Sequence, residues 1–211
     1  MNQLVFKFPF KVKYFKQDFY VSSNNFSAYK LIESWPNWPG KWLNVFGMSG
    51  SGKTHLSKIL EKKINKIKLV EAKYLNNKII EELNKIDCLI IDNYQNNIDE
   101  NLFYSILNQS KQLDNYIVVN STLSLNELNY NLLDLQSRLN SFIFIGIQLP
   151  NDDLLQVIIS KFFSDKQINL NPKISEFIIK NVDRSYEKMF KFLKDIDELS
   201  LSTGKSININ L

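Results

Sequence analysis

Between residues 41 and 149, short and nearly unbroken apolar runs alternate with stretches whose apolar positions recur every three or four residues. Trp42 to Phe46, Ile67 to Val70, Cys88 to Ile91, Tyr116 to Val119 and Phe142 to Ile147 have the length of strands and too few polar positions for a sheet with one wet face. The amphipathic stretches Thr54 to Ile64, Asn77 to Leu83, Glu100 to Leu113 and about Asn126 to Leu139 fall between them and predict helices. This alternation predicts an α/β domain whose parallel sheet is covered on both sides. After Pro150 it stops: Asp152 to Phe163, Pro172 to Asn181 and Ser185 to Leu201 read as helices with no strand between them. A small all-helical lobe is expected there, with Leu149-Pro150 at the junction and Asn151 or Asp152 as the first N-cap.

Composition narrows the class. The chain has 211 residues, of which 44% are hydrophobic, enough for one domain with a real core and a small appended lobe. Its longest apolar runs fall far short of a membrane span, and lysines interrupt the apolar positions of the N-terminus, so neither a membrane helix nor a secretory signal is predicted. A cytoplasmic protein is expected. One cysteine, Cys88, and one histidine, His55, rule out an internal disulfide and a Cys/His zinc site. Cys88 reads as an inert buried thiol, and the Lys62-Lys63 pair as a solvated helix face with at most weak DNA contact. The net charge of +4 comes from scattered residues and is too small to imply nucleic-acid binding by itself. Only two of the 26 basic residues are arginine, Arg138 and Arg184, which marks them as places where a planar fork is needed and an ammonium does not serve.

The strongest motif is Gly47-Met48-Ser49-Gly50-Ser51-Gly52-Lys53-Thr54, which fits G-x-x-x-x-G-K-[ST] between a strand and a helix. Glycines let backbone N–H groups turn inward around phosphates, and the helix N-terminus adds positive potential. Lys53 is placed to reach the phosphates and Thr54 to ligate Mg²⁺; Gly47, Gly50, Ser51, Gly52 and His55 complete the expected nucleotide contacts, although His55 also suits plain helix packing. Leu89-Ile90-Ile91-Asp92 ends an apolar strand in a carboxylate, so Asp92 is the expected second Mg²⁺ element. The next residue, Asn93, cannot act as a carboxylate base towards water, which predicts slow intrinsic hydrolysis.

These motifs resemble the AAA+ nucleotide-binding region of DnaA-related proteins, and more closely the short Hda-type regulatory inactivators of DnaA. The resemblance covers nearly the whole chain. It includes Asp18-Phe19-Tyr20-Val21 and Asn24-Asn25-Phe26-Ser27-Ala28-Tyr29, which resemble the family's segment beside the base, and Trp35-Pro36-Asn37-Trp38-Pro39 and Asp92-Asn93, which resemble the inactivator type. What it implies is an AAA+ P-loop NTPase with a five-stranded parallel sheet flanked by helices, a C-terminal all-helical lid, and ADP or ATP with Mg²⁺ as ligands. Leu135-Gln136-Ser137-Arg138-Leu139 resembles the element whose arginine projects towards a neighbour's nucleotide, making Arg138 a trans arginine finger. Val182-Asp183-Arg184 resembles the element whose arginine contacts the protein's own nucleotide. The family's polar sensor falls on Thr122, where Thr122-Leu123-Ser124 replaces the usual Asp-Arg-Pro.

At the N-terminus, Gln3-Leu4-Val5-Phe6-Lys7-Phe8 resembles the family's sliding-clamp peptide, which would bury Leu4, Phe6 and Phe8 in a groove while Gln3 hydrogen-bonds at one end. The same alternation also suits an edge strand packed on this protein's own core. The expected division is therefore a clamp-binding peptide over 1–12, an α/β nucleotide-binding domain over 13–150 and a helical lid over 151–211, with no further DNA-binding domain after it. The implied partners are DnaA, the DNA polymerase sliding clamp and a second copy in a homodimer, with DNA contact weak or indirect and no membrane. The expected function is a regulator that, with the clamp, stimulates hydrolysis of DnaA-bound ATP. The rivals are an independent ATPase that loads or remodels another replication protein, and a DnaA- or DNA-binding adaptor without stimulation.

Overall fold

A computed structural model describes residues 19–207, so the clamp-peptide positions Gln3, Leu4, Phe6 and Phe8, and Asp18, lie outside the described residues. The described chain divides into two compact units that meet in sequence between Gln148 and Leu149.

The first unit is built on five strands, β1 (Trp42–Phe46), β2 (Ile67–Glu71), β3 (Cys88–Tyr94), β4 (Tyr116–Ser121) and β5 (Phe142–Gly146). All pair in parallel, in the order β2-β3-β4-β1-β5. Because side chains alternate across a strand, each strand supplies two cores. Trp42, Leu89, Ile91, Ile117, Val119 and Phe142 face one core. Leu43, Val45, Cys88, Ile90, Val118 and Ile147 face the other. The first core is closed by α3 (Asn77–Glu82), α4 (Glu100–Gln112) and α5 (Leu133–Leu139), through Ile79, Phe103, Ile106, Leu107, Leu135 and Leu139. The second is closed by α1 (Phe26–Glu33) and α2 (Lys53–Glu61), through Ala28, Ile32, Leu56, Ile59 and Leu60. Cys88 is fully buried in β3, and that burial pushes its thiol up out of the reactive range.

One expected helix is corrected. The stretch from Asn126 to Leu139 is a 3₁₀ turn at Leu125–Glu127, an irregular segment, and then α5. Its backbone groups bond to side chains instead of to a helical ladder: Leu125 N–H donates to Asn44 Oδ1 at 3.0 Å, and Asn131 and Leu132 N–H donate to the Glu100 carboxylate at 3.1 and 2.7 Å. Asn44 sits fully buried in β1 and also donates to Val119 O and Ser121 Oγ, both at 2.9 Å, so one amide fastens the turn after β4 to the neighbouring strand β1. Helix α1 was not among the expected helices; Asn25 starts it by accepting from Ser22 N–H at 2.9 Å and donating to Tyr20 O at 2.9 Å.

The second unit contains α6 (Asp152–Ser164), α7 (Pro172–Asn181) and α8 (Tyr186–Thr203). Asn151 caps α6 and Asn171 caps α7, with Pro172 at the first helical position, where its missing N–H costs nothing. Leu155, Ile159, Phe163, Met189 and Leu193 are fully buried at its centre. Among the described residues no helix is long and apolar enough to cross a membrane.

Candidate nucleotide site

The loop from β1 to α2 is shaped by glycines. Gly47 has φ 155° and a Cβ there would lie 2.7 Å from the Ile147 carbonyl oxygen; Gly52 has φ 97° and a Cβ there would lie 2.9 Å from the Phe19 ring. Both positions therefore require glycine for conformation and for space. Gly52 is also the N-cap of α2, whose first turn carries no acidic residue of its own, so the loop N–H groups and the helix N-terminus contribute positive potential to the site. Phe19 closes this end of the site: it stacks on Tyr29 with ring centroids 5.7 Å apart and meets the His55 imidazole edge-on at 5.3 Å. His55 thus takes part in aromatic packing.

Lys53 is only 7% exposed, and its ammonium donates to the Gly47 and Met48 carbonyl oxygens at 2.6 and 3.0 Å. Burial holds its pKa below the ordinary lysine value, while the charge of Asp92 pulls the other way. Asp92, at the end of β3, is 3% exposed and hydrogen-bonded at both oxygens. Oδ2 accepts from Thr54 Oγ1 at 2.8 Å; Oδ1 accepts from Asn120 Nδ2 at 2.9 Å and from the Asn93 N–H at 3.1 Å. Asn93 itself lies at φ 55°, exposed, where the register between β3 and β4 shifts. A bulge at this point ends the regular ladder and turns the side chain after Asp92 away from the strand's buried face.

The donor set suits a nucleotide and its cation. Thr54 and Asp92 are hard oxygen donors within hydrogen-bond reach of each other, and Lys53 stands at the loop. Ser51 Oγ, buried in the loop, has no partner. Among the described residues no group of three or more His, Cys, Asp or Glu could hold a metal by itself, so a cation here would take most of its shell from phosphate and water, as Mg²⁺ does.

The structure brings Gly47, Gly50, Ser51, Gly52, Lys53, Thr54 and Asp92 into one loop and strand end. Thr122 is exposed on the turn after β4, and the polar side chain of that strand which reaches Asp92 is Asn120, also bonded to Ser57 Oγ at 2.8 Å. Sequence reasoning passed over Asn120; the signal was a polar residue following directly on Ile117-Val118-Val119. Arg138, half-buried near the end of α5, donates its Nε–H to Asn108 Oδ1 on α4 at 2.7 Å. Arg184 belongs to the helical unit, where its Nη2 pairs with Asp152 at 2.6 Å.

No protein-family model matches the chain. Over 240 aligned positions it is 28% identical to the chromosomal replication initiator protein DnaA of Buchnera aphidicola subsp. Baizongia pistaciae (strain Bp); the match covers 100% of this chain and 52% of the relative, so the chain spans about half that protein's length. Among solved structures it is similar to domain III of the Thermotoga maritima replication initiation protein DnaA, with a TM-score of 0.77 at 19% identity, over 96% of this chain and 95% of that one. It is also similar to the replication initiator DnaA bound to AMPPCP and single-stranded DNA, with a TM-score of 0.74 at 20% identity, over 90% of this chain and 66% of that one. The chain carries a DnaA-like AAA+ P-loop fold, with a five-stranded parallel sheet flanked by helices and a helical unit after it.

Proposed function

We propose that this protein is a nucleotide-binding AAA+ regulator of replication initiation which, with the DNA polymerase sliding clamp, stimulates hydrolysis of DnaA-bound ATP by supplying Arg138 in trans. The observation that carries the reading is the contrast within its own site. The phosphate loop and the Thr54–Asp92 pair are assembled, yet the residue after Asp92 is an amide, Asn93, set at a bulge. An amide does not take a proton from attacking water, so the site is suited to holding a nucleotide more than to turning it over.

In this reading the loop N–H groups, Lys53 and the α2 N-terminus bind the phosphates of ADP or ATP; the similar replication initiator DnaA is bound to AMPPCP, which supports an adenine nucleotide here. Thr54 and Asp92 hold Mg²⁺, which neutralises phosphate charge when bound. Asn120 fixes the Asp92 carboxylate and takes the polar-sensor part expected of Thr122, while Arg184 exchanges Asp152 for the phosphates of the bound nucleotide. Arg138 would act on the neighbour's nucleotide by stabilising charge on the transferring phosphoryl group, an effect of roughly a thousandfold to a hundred-thousandfold where arginine fingers operate. Gln3, Leu4, Phe6 and Phe8 would tether the protein to the clamp.

The test is hydrolysis of ATP prebound to DnaA in the presence of DNA-loaded clamp, with controls for turnover by this protein alone. Acceleration by wild type, lost in Arg138→Ala and in Gln3→Ala/Leu4→Ala while both still bind nucleotide, supports the reading. Robust turnover without DnaA would point to an independent ATPase. Binding to DnaA that survives Arg138→Ala with no acceleration by either form would leave an adaptor.

A further inference from the structure

Helix α4 touches α5 through polar bonds at both ends. Near its start, Glu100 accepts from the N–H groups of Asn131 and Leu132, which lie at the N-terminus of α5. Eight residues on, about 12 Å along a helix axis, Asn108 accepts the Nε–H of Arg138 in the last turn of α5. Between these two points Phe103, Ile106 and Leu107 are fully buried in the sheet's core, so α4 is fixed against the sheet. The carboxylate of Glu100 also satisfies helix-end N–H groups that would otherwise lack partners.

We infer that Asn108 is a positioning residue for Arg138, and that α4 is the frame which aims this arginine outward before any partner arrives; the inference rests on the trans-arginine reading above. The chemistry of the guanidinium makes the arrangement possible. Its Nε–H can be tied to one acceptor while the two Nη groups keep their outward donors, and among the described residues no other bond to this guanidinium is made. A lysine ammonium has three donors on one freely rotating nitrogen, so tying one of them down does not set the direction of the others as the planar guanidinium does. That distinction accounts for an arginine at this position in a chain where 24 of the 26 basic residues are lysine. Holding the side chain in advance also removes rotamer freedom that an unheld arginine would keep in the docked complex and lose only in the transition state, so its effect falls on the rate of the step more than on the strength of docking.

The sequence supplies a direct readout, because its two arginines give only two Nε–H signals in ¹H–¹⁵N spectra, assigned with Arg184→Lys. In the wild-type protein alone, the Arg138 Nε–H should exchange with water about tenfold more slowly than that of Arg184, as a charge-assisted hydrogen bond requires. Asn108→Ala should abolish the difference and Asn108→Asp, which keeps an acceptor, should retain it. In the DnaA assay, Asn108→Ala should lower the maximal stimulated rate about tenfold and leave the half-saturating concentration within about twofold, while Asn108→Asp restores the rate. The inference is overturned if wild type accelerates hydrolysis and Asn108→Ala does so equally. It is also overturned if Asn108→Ala keeps the slow exchange, or shifts only the half-saturating concentration. If wild type accelerates nothing, the trans-arginine reading itself falls, and that result differs from one in which only the Asn108 variant behaves unexpectedly.

Discussion

The Thr54 hydroxyl donates to the Asp92 carboxylate at 2.8 Å, joining the first turn of α2 to the end of β3 across the sheet's carboxyl edge. The two groups that would share a cation are therefore already in register, and binding needs only the exchange of one short hydrogen bond for metal coordination. Asp92→Asn keeps the size of this side chain and removes its charge. Nucleotide affinity measured with Mg²⁺ should fall about tenfold and affinity measured in EDTA should stay unchanged. An equal fall under both conditions would make Asp92 a structural residue and not part of a cation shell.

Lys53 gives the site a pH signature. Its ammonium is held below the ordinary 10.5 chiefly by burial, so the folded protein binds this proton more weakly than the unfolded chain does. The charged form then costs stability below the folded pKa, and that cost fades as pH rises from the folded value towards 10.5. Without nucleotide, the unfolding free energy of wild type minus that of Lys53→Met should rise from neutral pH into the alkaline range, as read from urea midpoints. A flat difference would show that the ammonium is solvated in the folded protein.

How much of this was legible differs from element to element. The strand Trp42–Phe46 and the helix Pro172–Asn181 agree end to end with their patterns, because an apolar run interrupted only by Asn44 and an Asn-Pro cap are local signals that packing does not override. The P-loop was legible for the same reason, its glycines being demanded by local backbone geometry. What escaped was long-range. The helix expected from Asn126 is interrupted where Glu100, distant in sequence, claims the N–H groups of Asn131 and Leu132, while Asn44 fixes the turn just before it at Leu125. Asn120 escaped because its partners, Asp92 and Ser57, are brought to it only by strand order. Periodicity contains no information about either.

Gly52 faces two constraints that can be separated. Gly52→Ala places a methyl 2.9 Å from the Phe19 ring and holds a non-glycine residue at φ 97°. We expect a loss of about 1–3 kcal/mol in unfolding free energy from the backbone alone, with nucleotide binding abolished. Adding Phe19→Ala relieves the steric contact and leaves the torsional cost, so the double variant should recover only part of the stability and little of the binding. Full recovery would mean that ring contact, not conformation, demands glycine.

Asn120 and Thr122 stand two residues apart and offer opposite expectations. Asn120 is fully buried, and its Nδ2 is shared between Ser57 Oγ and Asp92 Oδ1, so its removal leaves a buried carboxylate oxygen with one donor fewer. Asn120→Ala should lower unfolding free energy by about 1–3 kcal/mol. It should also weaken nucleotide binding more with Mg²⁺ than in EDTA if the carboxylate it orients, Asp92, is the one proposed to hold the cation. Asn120→Asp should be worse than alanine, since it sets a second carboxylate against Asp92 in a buried place. Thr122 is exposed beyond the strand, and Thr122→Ala should change stability by less than about 0.5 kcal/mol and leave affinity unaltered. Calorimetric titration of both variants with ADP, with and without Mg²⁺, decides between them: a large effect at Thr122 and none at Asn120 would return the sensing part to the position that family resemblance assigns.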